Sequence, residues 1–355
     1  MKPHSGNKYK VIGTMSGTSL DGLDIVAVEF TETNGKWEFS IVAAETVKYS
    51  DYWEKQLENA PSLAGDALMK LHANFGRLCG KEIQAFIHRN NFHPFLIASH
   101  GHTIFHQPEN GFTFQAGDGH SIAIETKTMT VADFRSSDVA SGGQGAPLVP
   151  VGDKFLFHEY DYCLNLGGFS NISYDKNGKR VAFDICPTNI ILNDFAKKHG
   201  HLFDKNGEMG QKGEIHKPLL AELNALRYYK QYPPKSLGRE WLEEEFIPVL
   251  EKYRIPDFDK MRTLYEHIAL QISSSVTDTG KLLVTGGGAH NKFLIERIKN
   301  LTETEVIIPE DKITDYKEAL IFAFLGVLRL KSEINCFASV TGAQKDSSAG
   351  VIFMP

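Results

Sequence analysis

Residues 12–24 read Ile-Gly-Thr-Met-Ser-Gly-Thr-Ser-Leu-Asp-Gly-Leu-Asp, a polar, glycine-containing segment between the apolar runs 10–13 and 23–30. Two apolar runs joined by a short polar connection predict a β-hairpin, here with its tip at 14–22. The tip carries hydroxyl side chains, glycines and the carboxylate of Asp21. Glycine lets backbone N–H groups approach an anion closely, and hydroxyls add hydrogen bonds, so this composition is typical of a phosphate-binding loop.

An ordinary turn is the alternative, because Gly, Ser, Asp and Thr dominate turns. The segment is not a P-loop, since no Gly-Lys-Ser/Thr follows and the chain runs into a strand. The pattern recurs, however, at 164–174, which read Leu-Asn-Leu-Gly-Gly-Phe-Ser-Asn-Ile-Ser-Tyr. Residues 282–291, Leu-Leu-Val-Thr-Gly-Gly-Gly-Ala-His-Asn, predict a strand that enters a glycine loop before a helix. Two hairpin loops and a glycine-rich nucleotide loop suggest a duplicated α/β fold that closes around ATP.

The bulk properties exclude several classes of protein. A chain of 355 residues is too long for one ordinary core and predicts two domains. Its net charge of −6, without a basic cluster, argues against nucleic acid as a partner. The longest apolar run near the C-terminus, 319–328, is too short to span a bilayer, and the polar first ten residues lack a secretory leader's apolar core. The four cysteines stand singly, so we expect a cytoplasmic protein without a disulfide framework.

Periodicity organises the rest of the chain. Helical spacing of apolar residues predicts a long helix over 62–90, followed by a buried strand at 95–99 and a polar stretch at 100–108. The glycine-rich, proline-terminated segment 141–147 is predicted to be a loop. The second half is predicted to contain strands at 180–184 and 306–308, a strand–loop–helix unit at 281–299, and helices from about 188 and at 217–227, 239–253, 258–276 and 316–331.

Asp184 is the candidate general base. It ends a predicted strand, and the carboxyl ends of strands in α/β sheets are where ligands bind. A carboxylate there needs hydrogen-bond reach to its substrate to take a proton. The alternative is a turn or helix-capping role, which aspartate favours strongly.

Other polar residues allow more than one interpretation. His100, His102 and His106 share strand parity and so could converge on zinc, but no acidic residue is interleaved and a polar substrate-binding loop, which is favoured, explains the same residues. Arg135 suits bidentate binding of a carboxylate or phosphate, or else a salt bridge. Glu318 opens the last helix, where a carboxylate also complements the helix dipole.

Motifs along the whole chain resemble those of one family. In order they are 13–22 Gly-Thr-Met-Ser-Gly-Thr-Ser-Leu-Asp-Gly, 99–103 Ser-His-Gly-His-Thr, 133–135 Asp-Phe-Arg, 142–150 Gly-Gly-Gln-Gly-Ala-Pro-Leu-Val-Pro, 165–171 Asn-Leu-Gly-Gly-Phe-Ser-Asn, 183–184 Phe-Asp, 235–240 Lys-Ser-Leu-Gly-Arg-Glu, 286–289 Gly-Gly-Gly-Ala and 340–343 Val-Thr-Gly-Ala. The series is far more specific than any single member. The chain thereby resembles the anhydro-N-acetylmuramic acid kinases of bacterial cell-wall recycling.

The resemblance implies an α/β protein with two related domains of the actin-like/sugar-kinase (ribonuclease H-like) ATPase fold around a central cleft. The domains would comprise 1–134 with 339–355, and 135–338. It implies ATP and Mg²⁺ as cofactors and a homodimer. The reaction would open 1,6-anhydro-N-acetylmuramic acid with water and phosphorylate its 6-oxygen, giving N-acetylmuramic acid 6-phosphate and ADP.

The resemblance also assigns roles to residues. Asp184 would be the base that activates water, and Asp21 would organise Mg²⁺, through water. The sugar would contact His100, Thr103, Arg135 and Glu318. The phosphates and nucleotide of ATP would contact Ser16, Gly17, Thr18, Ser19, Asp21, Gly22, Gly167, Gly168, Gly286, Gly287 and Gly288.

The chain departs from the usual pattern of the family mainly near the sugar residues. The departures are Cys186 and Thr188 in place of glycines, Asn193 in place of Asp, His102 in place of Gln, Phe105 in place of Arg, and Ser136 and Ser137 in place of basic residues. Two alternatives therefore stand beside the leading interpretation. One is a kinase of the same fold that acts on another sugar, and the other is a nucleotide-binding homologue without catalysis.

Overall fold

The structure, a computed structural model, describes residues 7–17 and 20–355. The strands are β1 (Lys8–Ser16), β2 (Leu23–Thr33), β3 (Lys36–Val47), β4 (Leu96–Gln107), β5 (Phe112–Ala116), β6 (Thr130–Ala132), β7 (Tyr162–Leu166), β8 (Phe169–Lys176), β9 (Lys179–Pro187), β10 (Lys281–Thr285), β11 (Glu305–Ile307) and β12 (Val351–Phe353).

The helices are α1 (Asp51–Glu58), α2 (Gly65–Asn90), α3 (Gly119–Thr126), α4 (Ser136–Ala140), α5 (Pro150–Leu156), α6 (Asn189–Lys198), α7 (Lys217–Asn224), α8 (Arg239–Trp241), α9 (Ile247–Lys252), α10 (Asp257–Ser275), α11 (Lys292–Leu301), α12 (Asp311–Leu330) and α13 (Ala338–Thr341). A π-helical turn, Leu242–Phe246, joins α8 to α9. Among the described residues, no helix combines the length and apolar character needed to cross a membrane.

The chain divides into two compact units, one of residues 1–156 with 316–355 and one of residues 157–315. In the first unit the sheet order is β12-β6-β4-β1-β2-β3, with β5 paired to β4. Strands β1, β2 and β3 form an antiparallel meander, and β4 and then β6 continue the sheet in parallel from β1. The predicted first hairpin is confirmed: β1 and β2 are in continuous register from Lys8 opposite Thr31 to Ser16 opposite Leu23.

Helix packing explains why residues after 316 belong to the first unit. A Cβ atom at Gly13 of β1 would lie 2.0 Å from the carbonyl oxygen of Ala319 in α12. Glycine therefore lets this helix lie directly against the central strand of the sheet. The predicted boundaries at 134 and 339 differ from this division, because α5 and most of α12 pack with the first unit.

The second unit repeats the same strand arrangement. Its sheet order is β11-β10-β7-β8-β9, in which β7, β8 and β9 form an antiparallel meander and β10 and then β11 add in parallel. A meander whose first strand continues into parallel strands reached by crossover helices is the ribonuclease H-like order. The predicted α/β class and the predicted duplication are therefore confirmed.

Each unit has its own apolar core. In the first, α2 buries Leu71, Phe75, Cys79 and Ile83 at helical spacing, and Asn91 ends the helix in the left-handed conformation, with φ of 46°. In the second, α10 contributes the buried residues Leu264, Ile268 and Ile272 to the core. All four cysteines of the chain are buried, and none of them forms a disulfide bond.

Candidate active site

Asp184 lies within β9, three residues before the strand ends. Its Oδ2 accepts a hydrogen bond of 2.9 Å from the backbone N–H of Leu237. Its own backbone N–H donates a hydrogen bond of 3.2 Å to the carbonyl of Lys235, and its backbone carbonyl accepts one of 2.5 Å from the hydroxyl of Tyr228. Asp184 is thus fixed through its carboxylate and through both its backbone N–H and its backbone carbonyl.

Burial raises the pKa of Asp184 to about 6, and the hydrogen bond from the Leu237 N–H opposes that rise by stabilising the charged form. A carboxyl group with this pKa is deprotonated at neutral pH and still basic enough to accept a proton from a reacting group. The site therefore has the protonation behaviour of a general base.

The two residues that replace glycines near Asp184 do not require a left-handed backbone. Neither Cys186 nor Thr188 has a positive φ. Cys186 is fully buried with its Sγ 3.3 Å from the hydroxyl of Ser170, and burial raises the pKa of its thiol to about 12. Its thiol is therefore protonated at neutral pH, and a buried, protonated thiol is a poor nucleophile.

The second predicted loop, Gly167 and Gly168, joins β7 to β8 and meets the start of α6. The carbonyl of Gly168 accepts hydrogen bonds from the N–H groups of Thr188 and Ile190, at 2.8 and 3.2 Å. The carbonyl of Gly167 accepts a hydrogen bond of 3.2 Å from the backbone N–H of Asn189. These bonds satisfy donors at a helix N-terminus, which otherwise have no partner within the helix. The loop is therefore held firmly between a hairpin and a helix.

The predicted nucleotide loop, Gly286–Gly288, packs against this second loop. Gly286 has φ of 84°, and a Cβ there would lie 2.4 Å from Oδ1 of Asn165. A Cβ at Gly288 would lie 2.7 Å from Cβ of Leu166, whereas at Gly287 the nearest atom, Nδ2 of Asn189, would be 4.0 Å away. The structure thus brings the two glycine loops of the second unit together, with the middle glycine the least crowded.

The first unit contains the loop that follows β1. The hydroxyl of Ser16 accepts a hydrogen bond of 2.7 Å from Tyr49 and lies 2.9 Å from Nδ1 of His102. Burial lowers the pKa of His102 to about 4, so its ring is neutral near pH 7. Asp21 and Gly22 follow, the former with an exposed side chain, while the predicted contacts Thr18 and Ser19 lie outside the described residues.

His100, Arg135 and Glu318 come together in the first unit. Arg135 donates from Nε to Nε2 of His100 at 3.0 Å and from Nη1 to the carbonyl of Gly145 at 2.6 Å. Burial lowers the pKa of Arg135 to about 10, and the nearby Glu318 opposes that shift. Burial raises the pKa of Glu318, opposed by Arg135 and Lys317. The cluster is a part-buried, charged surface suited to a polar, anionic ligand.

Asp138 anchors the loop that holds Arg135. This buried carboxylate accepts hydrogen bonds from the N–H of Gly145 at 2.8 Å, the hydroxyl of Thr341 at 2.8 Å and the thiol of Cys336 at 3.1 Å. Both backbone polar groups of Gly145 are therefore held, the N–H by Asp138 and the carbonyl by Arg135. The sequence places Asp138 three positions after the Asp-Phe-Arg motif and just before the glycine-rich segment, but no local pattern assigns it this anchoring role.

The three histidines do not form a metal centre. His100 engages Gly101 and Arg135, His102 engages Ser16, and Nδ1 of His106 lies 3.1 Å from the hydroxyl of Thr113. No group of three or more His, Cys, Asp or Glu side chains suited to a metal occurs within residues 7–17 and 20–355. Thr103, the remaining predicted sugar contact, lies 3.5 Å from Nε2 of Gln115 on β5.

Sequence reasoning also missed the residues that hold Asp184. Tyr228 and Leu237 lie 44 and 53 residues beyond it, and no local pattern links them to it. Lys235 and Leu237 do fall in the 235–240 motif, whose position could have indicated a role near the site.

Comparison with known proteins agrees with the motif series. A family model described as anhydro-N-acetylmuramic acid kinase matches residues 9–355. Curated proteins named anhydro-N-acetylmuramic acid kinase are similar over nearly the whole chain. The protein from Vibrio parahaemolyticus is 34% identical and covers 96% of this chain and 97% of its own length, and that from Vibrio cholerae is 35% identical, with 97% and 98% covered.

Among solved structures, component A of the Acidaminococcus fermentans (R)-2-hydroxyglutaryl-CoA dehydratase is 14% identical with a TM-score of 0.47, covering 90% of this chain and 97% of its own. The sequence relationships, which are far stronger, decide the classification. This chain belongs to the anhydro-N-acetylmuramic acid kinase family.

Proposed function

We propose that this protein uses ATP and water to convert 1,6-anhydro-N-acetylmuramic acid into N-acetylmuramic acid 6-phosphate and ADP. The observation that carries the proposal is the carboxylate of Asp184, whose pKa is raised by burial to about 6 and whose orientation is fixed by Leu237. A base with these properties suits a reaction that begins by activating water. Family membership supplies the substrate class.

In this scheme Asp184 takes a proton from water while the water oxygen bonds to the anomeric carbon of the sugar. The bond from that carbon to the 6-oxygen breaks, and the freed 6-oxygen bonds to the γ-phosphorus of ATP. The bond between that phosphorus and the β-γ bridging oxygen breaks, which releases ADP. Phosphoryl transfer depends mainly on positioning and on stabilisation of charge, so the protein's remaining task is to hold both substrates.

We assign the phosphates of ATP to the glycine-containing loops. Gly286–Gly288 pack against the loop of Gly167 and Gly168. Because glycine has no Cβ, the two loops together form a surface where phosphates can approach the backbone closely, as a nucleotide site requires. From the first unit we assign Ser16, Gly17, Thr18, Ser19, Asp21 and Gly22 to the same role. The exposed carboxylate of Asp21 fits Mg²⁺, which binds one or two carboxylates, water and substrate phosphates and stabilises the charge on those phosphates.

We assign the sugar to His100, Thr103, Arg135 and Glu318. N-acetylmuramic acid carries a carboxylate, and the Arg135 guanidinium supplies a matching positive charge that burial does not neutralise. The neutral ring of His100 and the carboxyl group of Glu318 add hydrogen-bonding groups for hydroxyl and amide groups. We further propose that the protein acts as a homodimer in the cytoplasm, as the family resemblance implies.

The test is an ADP-release assay with MgATP and 1,6-anhydro-N-acetylmuramic acid, run beside the Asp184→Asn variant. We expect turnover in the wild-type protein and a loss of at least about 100-fold in the variant, because an amide cannot accept the proton. ATP binding, measured by calorimetry, should be retained in the variant. Absence of wild-type turnover with ATP still bound would contradict the substrate assignment, and a panel of related sugars would then identify the acceptor.

A further inference from the structure

We propose that the segment 228–237 is a positioning strap for the base: it holds Oδ2 of Asp184 and so leaves Oδ1 as the oxygen that takes the proton from water. This inference rests on the proposed role of Asp184 and deepens it. It assigns the chemistry to one oxygen atom and gives a function to Tyr228, Lys235 and Leu237.

Three contacts carry the proposal. The N–H of Leu237 donates to Oδ2 at 2.9 Å, the carbonyl of Lys235 accepts from the Asp184 N–H at 3.2 Å, and the Tyr228 hydroxyl donates to the Asp184 carbonyl at 2.5 Å. Together these bonds fix the side chain, the backbone nitrogen and the carbonyl oxygen of Asp184. All three come from one segment, which is more than 40 residues away in sequence.

The strap is braced by its own side chains. Nζ of Lys235 donates to the carbonyl of Tyr228 at 3.2 Å and lies 4.5 Å from the centre of the Tyr228 ring. The ammonium also lies 5.4 Å from the centre of the ring of Phe183, the residue before the base. Tyr228 packs on Trp241 with ring centres 5.3 Å apart. The donors are therefore held in place before any substrate arrives, which is what precise orientation of a base requires.

The two carboxylate oxygens consequently differ. Oδ2 is occupied by Leu237, whereas Oδ1 accepts no hydrogen bond from the described part of the chain. Burial and the charge of Asp184 raise the pKa of Tyr228. Lys235 lies on the Tyr228 ring and Cys186 follows two residues along β9, and burial lowers the pKa of Lys235 while raising that of Cys186. The tyrosine and the thiol are thus uncharged near neutral pH. The Leu237 N–H is the donor that most directly favours the charged form of the base.

The test removes that donor. Leu237→Pro deletes the N–H, and Leu237→Ala keeps it while trimming the same side chain, so the alanine variant is the matched control. Residue 237 lies in irregular chain outside any helix or strand, so the proline interrupts no hydrogen-bonded ladder. The measurement is the pH dependence of kcat/KM for the sugar, whose acid limb reports the base of the free enzyme.

We expect the acid limb of Leu237→Pro to move to higher pH by about one unit or more, because hydrogen bonds to charged groups are among the stronger ones. Leu237→Ala, which retains the N–H, should keep the acid limb at the wild-type pH. A proline variant that is folded, as judged by circular dichroism, with an unshifted acid limb would overturn the proposal. So would an alanine variant shifted as far as the proline variant.

A second variant covers the case in which the proline prevents folding. Tyr228→Phe deletes the hydroxyl that holds the Asp184 carbonyl and keeps the ring that packs on Trp241. We expect kcat to fall about tenfold while KM for ATP stays within about twofold, because misplacement of a base affects the chemical step rather than nucleotide binding. An unchanged kcat would overturn the proposal. Failure of the proposed function would appear separately, as unimpaired turnover by Asp184→Asn.

Discussion

Arg135 donates from Nε to Nε2 of His100 at 3.0 Å, and this one bond determines where the charge of the cluster lies. Because Nε2 accepts, the proton of His100 is on Nδ1, which donates to the carbonyl of Gly101 at 2.9 Å. Burial and the adjacent guanidinium hold the pKa of His100 well below its usual range. The positive charge therefore belongs to Arg135 alone, and the histidine offers a neutral ring.

Arg135→Lys is expected to raise KM for the sugar at least about tenfold, with KM for ATP within about twofold of wild type. A lysine has a single ammonium and cannot reproduce the planar fork that reaches both His100 and Gly145. Arg77→Lys on the exposed face of α2 is the control and should change neither constant. Steady-state kinetics with each substrate varied in turn make the comparison, and an unchanged sugar KM would argue against a sugar site at this cluster.

Asp138→Asn should lower the free energy of unfolding by about 2–3 kcal/mol, since at least one of its three donors loses its acceptor in a buried place. Asp346→Asn provides the comparison. Asp346 also accepts a backbone N–H, from Ala338 at 2.8 Å, but its side chain is exposed, and we expect a cost below about 1 kcal/mol. Urea denaturation measures both, and equal costs would show that burial of Asp138 is not what makes it important.

Asp184→Asn should stabilise the protein at pH 8 by about 2 kcal/mol while abolishing activity. The folded-state pKa of Asp184, about 6, lies above its usual 3.8, so the neutral form is favoured by folding. That stability is fully present below pH 4 and is lost as the pH rises through 6, where the wild-type residue becomes charged. The advantage of the asparagine variant should therefore shrink towards zero near pH 4 in unfolding measurements. A constant difference between pH 4 and pH 8 would rule out this explanation.

Gly286→Ala and Gly287→Ala should separate the folding and binding roles of the nucleotide loop. Gly286 has φ of 84° and no room for a Cβ beside Asn165, so alanine should cost about 2 kcal/mol of stability. At Gly287 the nearest atom is 4.0 Å away, so alanine should cost under about 0.5 kcal/mol. We nevertheless expect the second variant to raise KM for ATP several-fold, because its methyl group faces open space where a nucleotide approaches the backbone. Unaltered ATP kinetics in Gly287→Ala would remove this loop from the nucleotide site.

Local sequence patterns were sufficient for most of the architecture. Both hairpins, the long helix ending at Asn90 and the strand that carries Asp184 follow from apolar periodicity, because one face of each element is buried. Two details differ. The polar stretch 100–108 continues as β4 to Gln107, since β5 pairs with it. The strand β9 runs beyond Asp184 to Pro187, with an irregular register opposite Ser170 and Asn171.

The contacts that prepare the site could not be predicted in this way. The Leu237 bond to Asp184 and the Cys336 bond to Asp138 join residues 53 and 198 positions apart. Such pairs depend on how the elements pack, and a single sequence carries no periodic signal for them. The motif series indicated which segments contribute to the candidate site, and the structure identifies the hydrogen-bonding atoms within them.

The burial of all four cysteines equips the molecule with its own reporters of local opening. Cys79 and Cys336 lie in the first unit, and Cys163 and Cys186 lie in the second. A thiol-alkylating reagent reaches such a side chain only when the surrounding structure opens, so the labelling rate of each cysteine measures the opening free energy of its surroundings. Mass spectrometry of alkylated peptides can therefore compare the opening free energies of the two units in the native sequence, without an introduced probe.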